Sequence, residues 1–201
     1  MTDLELQREW YAADKQDIYL RDHLFEGKKN GFYVDIGSAD GLYKSNTFLL
    51  ERDLEWNGIC IEARTDAFQR CSLRRKAKCF NFIMGNGDQV TFRQNGTGST
   101  ITEVGSGDVQ SQTLETILSI ADAPKSIDLL SMDIEGAEEL VLRDFPFDEY
   151  DIKVICVELP PESLVNKLTD LGYTRHRTIN NWPDNTGYAF SDNNDWLFVK
   201  N

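Results

Sequence analysis

The sequence predicts an α/β fold in which a mostly parallel sheet carries helices on both faces. Three observations predict it. Five apolar runs, at 32–36, 59–61, 79–84, 127–132 and 152–157, alternate with stretches of helical periodicity, and such alternation belongs to a parallel sheet covered on both sides. The first two runs end in acid: Gly31-Phe32-Tyr33-Val34-Asp35-Ile36-Gly37-Ser38-Ala39-Asp40-Gly41 enters a glycine turn, and Gly58-Ile59-Cys60-Ile61-Glu62 follows, its carboxylate 27 positions after Asp35. The tail changes character, since 173–179 and 196–199 are strand-like and joined by a polar, turn-rich stretch without a helix. That pattern predicts an antiparallel hairpin at the sheet edge.

In chain order, residues 1–29 are expected to form an N-terminal helical segment ahead of the first strand. Gly37 lets the chain turn sharply off that strand, and Gly41 lets backbone approach a ligand, since neither carries a Cβ. Ser45-Asn46-Thr47 then offers an N-cap, and Leu50 and Leu54 an inward i, i+4 pair. After the third run, residues 93–108 are rich in Gly, Ser and Thr and interrupt the rhythm; loops of this length serve as lids or binding loops, or are disordered. The fourth run ends at Asp133, with Glu135 entering a helix whose Ala137, Leu140 and Val141 repeat at helical spacing. The fifth ends at Glu158, and the helix after it, marked by Leu164, Leu168 and Leu171, stops at Gly172.

With 201 residues, 40% hydrophobic content and no linker-like shift in composition, the chain is expected to be one domain, 1–201, with a sizeable core. The formal net charge of −13 argues against a nucleic-acid backbone or an anionic membrane surface as partner, because both would repel it. No apolar run approaches the roughly 18 residues of a membrane span, and Met1-Thr2-Asp3-Leu4-Glu5 lacks the basic start of a signal peptide; the expected location is the cytoplasm. Cys60 and Cys156 lie in apolar strands, and Cys71 and Cys79 flank a basic segment without C-x-x-C spacing. They read as buried thiols, not as zinc ligands or disulfides. His23 and His176 sit in no ligand-like cluster, and Asn95-Gly96-Thr97, a glycosylation pattern without a secretory signal, reads as a polar loop.

Consecutive strand ends lie side by side on the edge where open sheets hold ligands, so Asp35 and Glu62 read as half of a nucleoside pocket in which Glu62 accepts both ribose hydroxyls. The spacing Gly37-x-x-x-Gly41 is not the dinucleotide pattern G-x-G-x-x-G, and Asp40 stands where a phosphate would be repelled. An acidic turn suits a cofactor with positive charge, and S-adenosylmethionine carries a sulfonium and an ammonium. Asp133, Glu135 and Glu158 should share that edge, where mutual repulsion raises at least one pKa, as a general base requires. Asp133 is the first choice for that base, with Glu158 and Glu135 next; a divalent metal such as Mg²⁺ on Asp133 and Glu135 is the alternative. Helix capping is the structural alternative for these acids, and it is preferred for Glu138. Two other classes stay open: a nicotinamide oxidoreductase, which would need the missing fingerprint, and a non-catalytic nucleoside-binding module, which would need no acids at the later strands.

Taken in order, the Gly31 to Gly41 motif, Ser45-Asn46-Thr47, Trp56-x-Gly58-Ile59-Cys60-Ile61-Glu62, Asp133-Ile134-Glu135-Gly136-Ala137-Glu138 and the closing Asp195-Trp196-Leu197-Phe198-Val199 resemble the FkbM-type S-adenosylmethionine-dependent methyltransferases. The resemblance runs from about Gln16 to the C-terminus. It implies a Rossmann-like class I methyltransferase fold, a seven-stranded sheet of order 3-2-1-4-5-7-6, and O-methyl transfer onto hydroxyls of sugars, glycans or related small molecules. It also implies cofactor contacts from Asp35, Gly37, Ser38, Asp40 and Gly41 around the methionine part, from Asn46 near its carboxylate, from Glu62 and Ala63 at the ribose, from Met84, Gly85 and Asn86 at the adenine, and from Asp133. Family members often carry Pro after the strand-2 acid, where this chain has Ala63-Arg64. Trp182, Tyr188 and Phe190 in the late polar loop could stack on a sugar ring or pack the loop onto the sheet. Short loops leave no separate acceptor domain, which suits a module fused to or working with glycosyltransferases.

Overall fold

A computed structural model describes residues 7–96, 98–176 and 195–200. Its centre is a sheet of seven strands: β1 (Phe32–Ile36), β2 (Asn57–Ile61), β3 (Lys78–Phe80), β7 (Ser126–Met132), β8 (Asp151–Glu158), β9 (Tyr173–His176) and β10 (Asp195–Lys200). Three further strands, β4 (Gln89–Arg93), β5 (Thr100–Val104) and β6 (Val109–Gln110), pair only with one another. In chain numbering the large sheet therefore runs 3-2-1-7-8-10-9 and not the expected 3-2-1-4-5-7-6. The inserted small sheet accounts for the difference, because it adds three strands between the third and fourth strands of the large one. β10 pairs antiparallel with both β8 and β9, while β1, β2, β3, β7 and β8 run parallel to one another.

Helices cover both faces. α1 (Gln16–Tyr19) with the π-helical turn Leu20–Leu24, α2 (Phe48–Leu54) and α3 (Thr65–Arg74) pack Tyr19, Leu20, Leu50, Leu54 and Cys71 against Tyr33, Cys60 and Leu129 of the sheet. On the opposite face α4 (Leu114–Ile120), α5 (Glu138–Leu142) and α6 (Glu162–Asp170) set Ile117, Leu142, Leu164 and Leu168 against Val34, Ile59, Leu130 and Ile155. Each fully buried aliphatic side chain contributes about 1.5–3 kcal/mol, so two apolar layers on one sheet supply most of the driving force. Among the described residues, no helix is long and apolar enough to cross a membrane.

Three expectations are corrected. Among the described residues of the N-terminal segment, 7–29, helix covers only 16–24: the Asp17 carboxylate accepts the Tyr11 N–H at 2.6 Å and folds residues 11–17 back on themselves. The third strand ends at Phe80 and not at 84, because Asn81 donates to the carbonyls of Glu62 and Ala63 at 2.8 and 3.0 Å and pulls the chain across the end of β2. The N-cap expected from Ser45-Asn46-Thr47 is present: Ser45 Oγ accepts the N–H groups of Thr47 and Phe48 at 3.3 and 3.1 Å, which frees Asn46 for the pocket. The stretch 93–108, expected as a loop, contains β5. The late loop with Trp182, Tyr188 and Phe190, the strand positions 177–179 and Thr97 lie outside the described residues.

Candidate active site

The sheet changes direction of winding between β1 and β7, and a pocket opens there at the carboxyl ends of the strands, where open α/β sheets bind ligands. It is lined by Asp35, Glu62, Asp133, Glu135, Glu158 and Asp195, together with the cations of Lys44 and Arg64. Six carboxyl groups against two cations make the pocket acidic. Phe92 of β4 and Ile101 of β5 also line it, and Thr100 Oγ1 donates to the Glu135 carbonyl at 2.8 Å, so the small sheet is tied to the acidic rim.

The turn after β1 is built to sit close. Gly37 has φ +86°, and a Cβ there would meet the Asp133 carbonyl oxygen at 1.9 Å; only glycine allows the turn to lie against the end of β7. The N–H groups of Gly37 and Ser38 both donate to the Ile61 carbonyl. Beyond them the Ala39 N–H donates to Glu62 Oε2 at 2.8 Å, and the Arg64 N–H donates to Oε1 at 2.9 Å. Glu62 is thereby fixed between the two strand ends, with capacity on both oxygens for further donors. Burial raises its pKa, opposed by the Arg64 amide and charge and the Ala39 amide.

Asp35 lies beneath the turn. Its Oδ2 accepts Thr47 Oγ1 at 2.5 Å and stands 3.7 Å from Arg75 Nη1; burial pushes its pKa up to about 6, against the opposing Arg75 charge and Thr47 hydrogen bond. Arg75 is wholly buried and donates to Glu51, Gly41, Ser45, Tyr33 and Thr47, so one guanidinium ties β1, the cofactor-side turn and α2 together.

On the other side of the pocket, Asp133, Glu135 and Glu158 bring carboxylate oxygens within 4.8 Å of one another. Glu135 reaches this position through a left-handed backbone, φ +56°, followed by Gly136 at +95°. Asp133 opens to solvent through the pocket, with protein packed around its remaining sides. Withdrawal from water, then a hydrogen bond and charge from Glu158 and the charge of Glu135, push its pKa up to about 7, with Lys44 opposing. Glu158 is raised as well, first by burial, so the two acids titrate as one dyad. Glu138 caps the preceding loop instead, accepting the Ile134 N–H at 2.9 Å.

Sequence reasoning missed three residues. Asp195, at the start of β10, accepts from Asn46 Nδ2 and Gln16 Nε2, each at 3.0 Å, and burial pushes its pKa up to about 6. Asn46 also donates to Ser131 Oγ at 3.3 Å, which leaves its carbonyl oxygen, an acceptor, as the free group. Gln16 and Asp195 are 179 positions apart; Asp195 opens the closing motif, but nothing in that motif points to a place in the pocket, and Arg75 reads only as one member of a basic run.

Of the expected cofactor residues, Asp35, Gly37, Ser38, Asn46, Glu62, Ala63, Met84 and Asp133 line the pocket. The other four do not. Asp40 turns away: Oδ1 accepts the Leu42 and Tyr43 N–H groups, and Oδ2 pairs with Arg74 at 2.5 Å. At Gly41 a Cβ would meet Arg75 and Cys71 and not a ligand. Gly85 packs against Ser111, and Asn86 bonds Asp88; both line a separate groove beside Leu114 and Pro146.

The family described as the Methyltransferase FkbM domain matches residues 35–175. No curated protein sequence gives a significant match. Among solved structures, the METTL16 methyltransferase domain superposes with TM-score 0.54 at 13% identity, over 91% of this chain and 65% of that one. A TehB-like SAM-dependent methyltransferase from Corynebacterium glutamicum gives 0.51 at 9%, over 97% and 90%. The methyltransferase FkbM from Methylobacillus flagellatus gives 0.53 at 13%, over 94% and 48%. The chain thus spans 65% of the METTL16 domain and 48% of the Methylobacillus protein; at these identities the superpositions show a shared fold.

Proposed function

Since the chain belongs to the FkbM methyltransferase domain family, we propose that it is an S-adenosylmethionine-dependent O-methyltransferase acting on a hydroxyl of a sugar, glycan or related small molecule. The observation that carries this reading is the set of acids at the ends of β1, β2, β7 and β8, all opening into one pocket. Their chemistry fits a cationic methyl donor: six carboxyl groups face two cations, and the Glu62 oxygens have room for two hydroxyl donors. The carbonyl oxygen of Asn46 and the Asp195 carboxylate suit an ammonium, and Lys44 suits the donor's carboxylate.

S-adenosylmethionine supplies, when bound, a sulfonium-linked methyl group for in-line displacement by an acceptor oxygen, leaving a neutral thioether. The protein's part is alignment and proton removal. Glu62 fixes the nucleoside end, and the Asp133–Glu158 dyad receives the hydroxyl proton. A carboxyl whose pKa is raised is the stronger base once ionised, and positioned base catalysis contributes roughly 10²–10⁴-fold. Asp133 is assigned this role because Glu158 and Glu135 both raise its proton affinity. Phe92 and Ile101 supply an apolar wall for the acceptor.

A second reading is favoured by one observation: the oxygens of Asp133, Glu135 and Glu158 are close enough to share a hard cation. Mg²⁺ would there orient and polarise the acceptor hydroxyl. Transfer of labelled methyl from S-adenosylmethionine to a panel of glycan hydroxyls, with and without EDTA, tests both readings. Transfer that survives EDTA supports the base, and loss restored by Mg²⁺ supports the metal. No transfer to any hydroxyl, with binding of the donor intact, overturns O-methylation.

A further inference from the structure

We propose that Cys60, Cys71 and Cys79 form a binding site for a soft d¹⁰ metal cation, monovalent copper, behind the glycine turn. Nothing in the sequence spacing marks it; the fold assembles it. Cys60 of β2 and Cys79 of β3 are register partners in a parallel pair, so their side chains leave the same face of the sheet side by side. Cys71, on α3, comes down onto that face from above. Its Sγ lies 3.8 Å from that of Cys79, and all three sulfurs lie within 4.8 Å of one another.

The surroundings suit sulfur–metal bonding. All four cysteines of the chain are free, and Cys156 stands apart from this group. Thiolates select soft cations. Three sulfurs complete the shell of monovalent copper, whereas zinc seeks four ligands, and the Ser38 hydroxyl, 3.6 Å from Cys71 Sγ, is a neutral oxygen. Each copper–sulfur bond made at a thiol releases one proton, and no electron moves. Cys60 and Cys71 are buried, but Cys79 is half-buried on the edge strand, which gives an ion a way in.

The site does not depend on methyl transfer, and its test does not read activity. Copper(I), kept reduced under anaerobic conditions, is titrated into the whole chain against a chromophoric chelator, with the ultraviolet sulfur-to-copper absorption recorded. The expected result is one ion per chain, a saturating charge-transfer band and a raised melting temperature. All three are lost in Cys79→Ser and kept in Cys156→Ser. Cys79 is the position of choice because it is half-buried and on the sheet edge, and the circular dichroism of the apo variant checks that it folds. Absence of a saturating band in the wild type, its survival in Cys79→Ser, or its loss in Cys156→Ser would overturn the proposal.

Discussion

Among individual residues, the account rests most on Asp133. Asp133→Asn keeps the shape and removes the base; turnover should fall roughly 10²–10⁴-fold while the dissociation constant for S-adenosylmethionine changes by only a few-fold, as steady-state rates and equilibrium binding would show. The same residue sets the pH profile. A base works only when ionised, so kcat/KM should rise with pH through about 7, the pKa reached beside Glu158 and Glu135. Glu158→Gln removes a neighbouring charge and should move that limb to lower pH. An unmoved limb would assign the base elsewhere. Asp133, Glu135 and Glu158 were legible in the sequence because each stands at or just past the end of an apolar run. Asp40 was not: its pairing with Arg74 depends on α3, which the motif does not contain.

Single elements are held by close approaches that the sequence only hints at. The turn after β1 rests against the end of β7, and Gly37→Ala puts a Cβ onto the Asp133 carbonyl at a positive φ. Strained backbone of this kind costs about 1–3 kcal/mol before the clash is counted, so chemical denaturation should show at least that loss, together with weakened cofactor binding. Arg75→Met would leave Asp35 and Glu51 buried without their counter-charge, a loss of about 3–5 kcal/mol. Wild-type stability in that variant would mean that Arg75 does not brace the turn. Strands β1, β2, β7 and β8 were legible because a parallel strand buried on both faces is an unbroken apolar run. Strands β4 to β6 were not, since they are short, largely exposed and lie among Gly, Ser and Thr. Their pairing with one another and their contact with Glu135 are tertiary facts.

Across the whole molecule, charge and fold act against each other. The chain carries a formal charge of −13, and burial raises the pKa of Asp17, Asp35 and Asp195 to about 6 and of Asp133 to about 7. An unfolded Asp titrates near about 3.9. Between these values the native state holds protons that the unfolded chain releases, so stability falls as pH rises from about 4 to about 7. His176, whose pKa burial lowers, and Cys71, whose pKa hydrogen bonds from Cys60 and Cys79 lower, work the other way, but they are two groups against four. The ligand-free chain should therefore melt higher at about pH 5 than at about pH 8; a flat or rising trend over that range would contradict the buried-acid description. A bound cation in the pocket should recover part of the loss at the higher pH.

The same excess of acid is the reason to expect a positively charged methyl donor and not a pyrophosphate-bearing one. Titration calorimetry of the chain with S-adenosylmethionine, with NAD and the Glu62→Ala variant as controls, tests that claim most directly. The account predicts single-site binding of S-adenosylmethionine, weakened about tenfold to a hundredfold by the substitution, as loss of hydrogen bonds to a charged group requires, and no heat from NAD. Absence of S-adenosylmethionine binding, or equal binding of NAD, would contradict it.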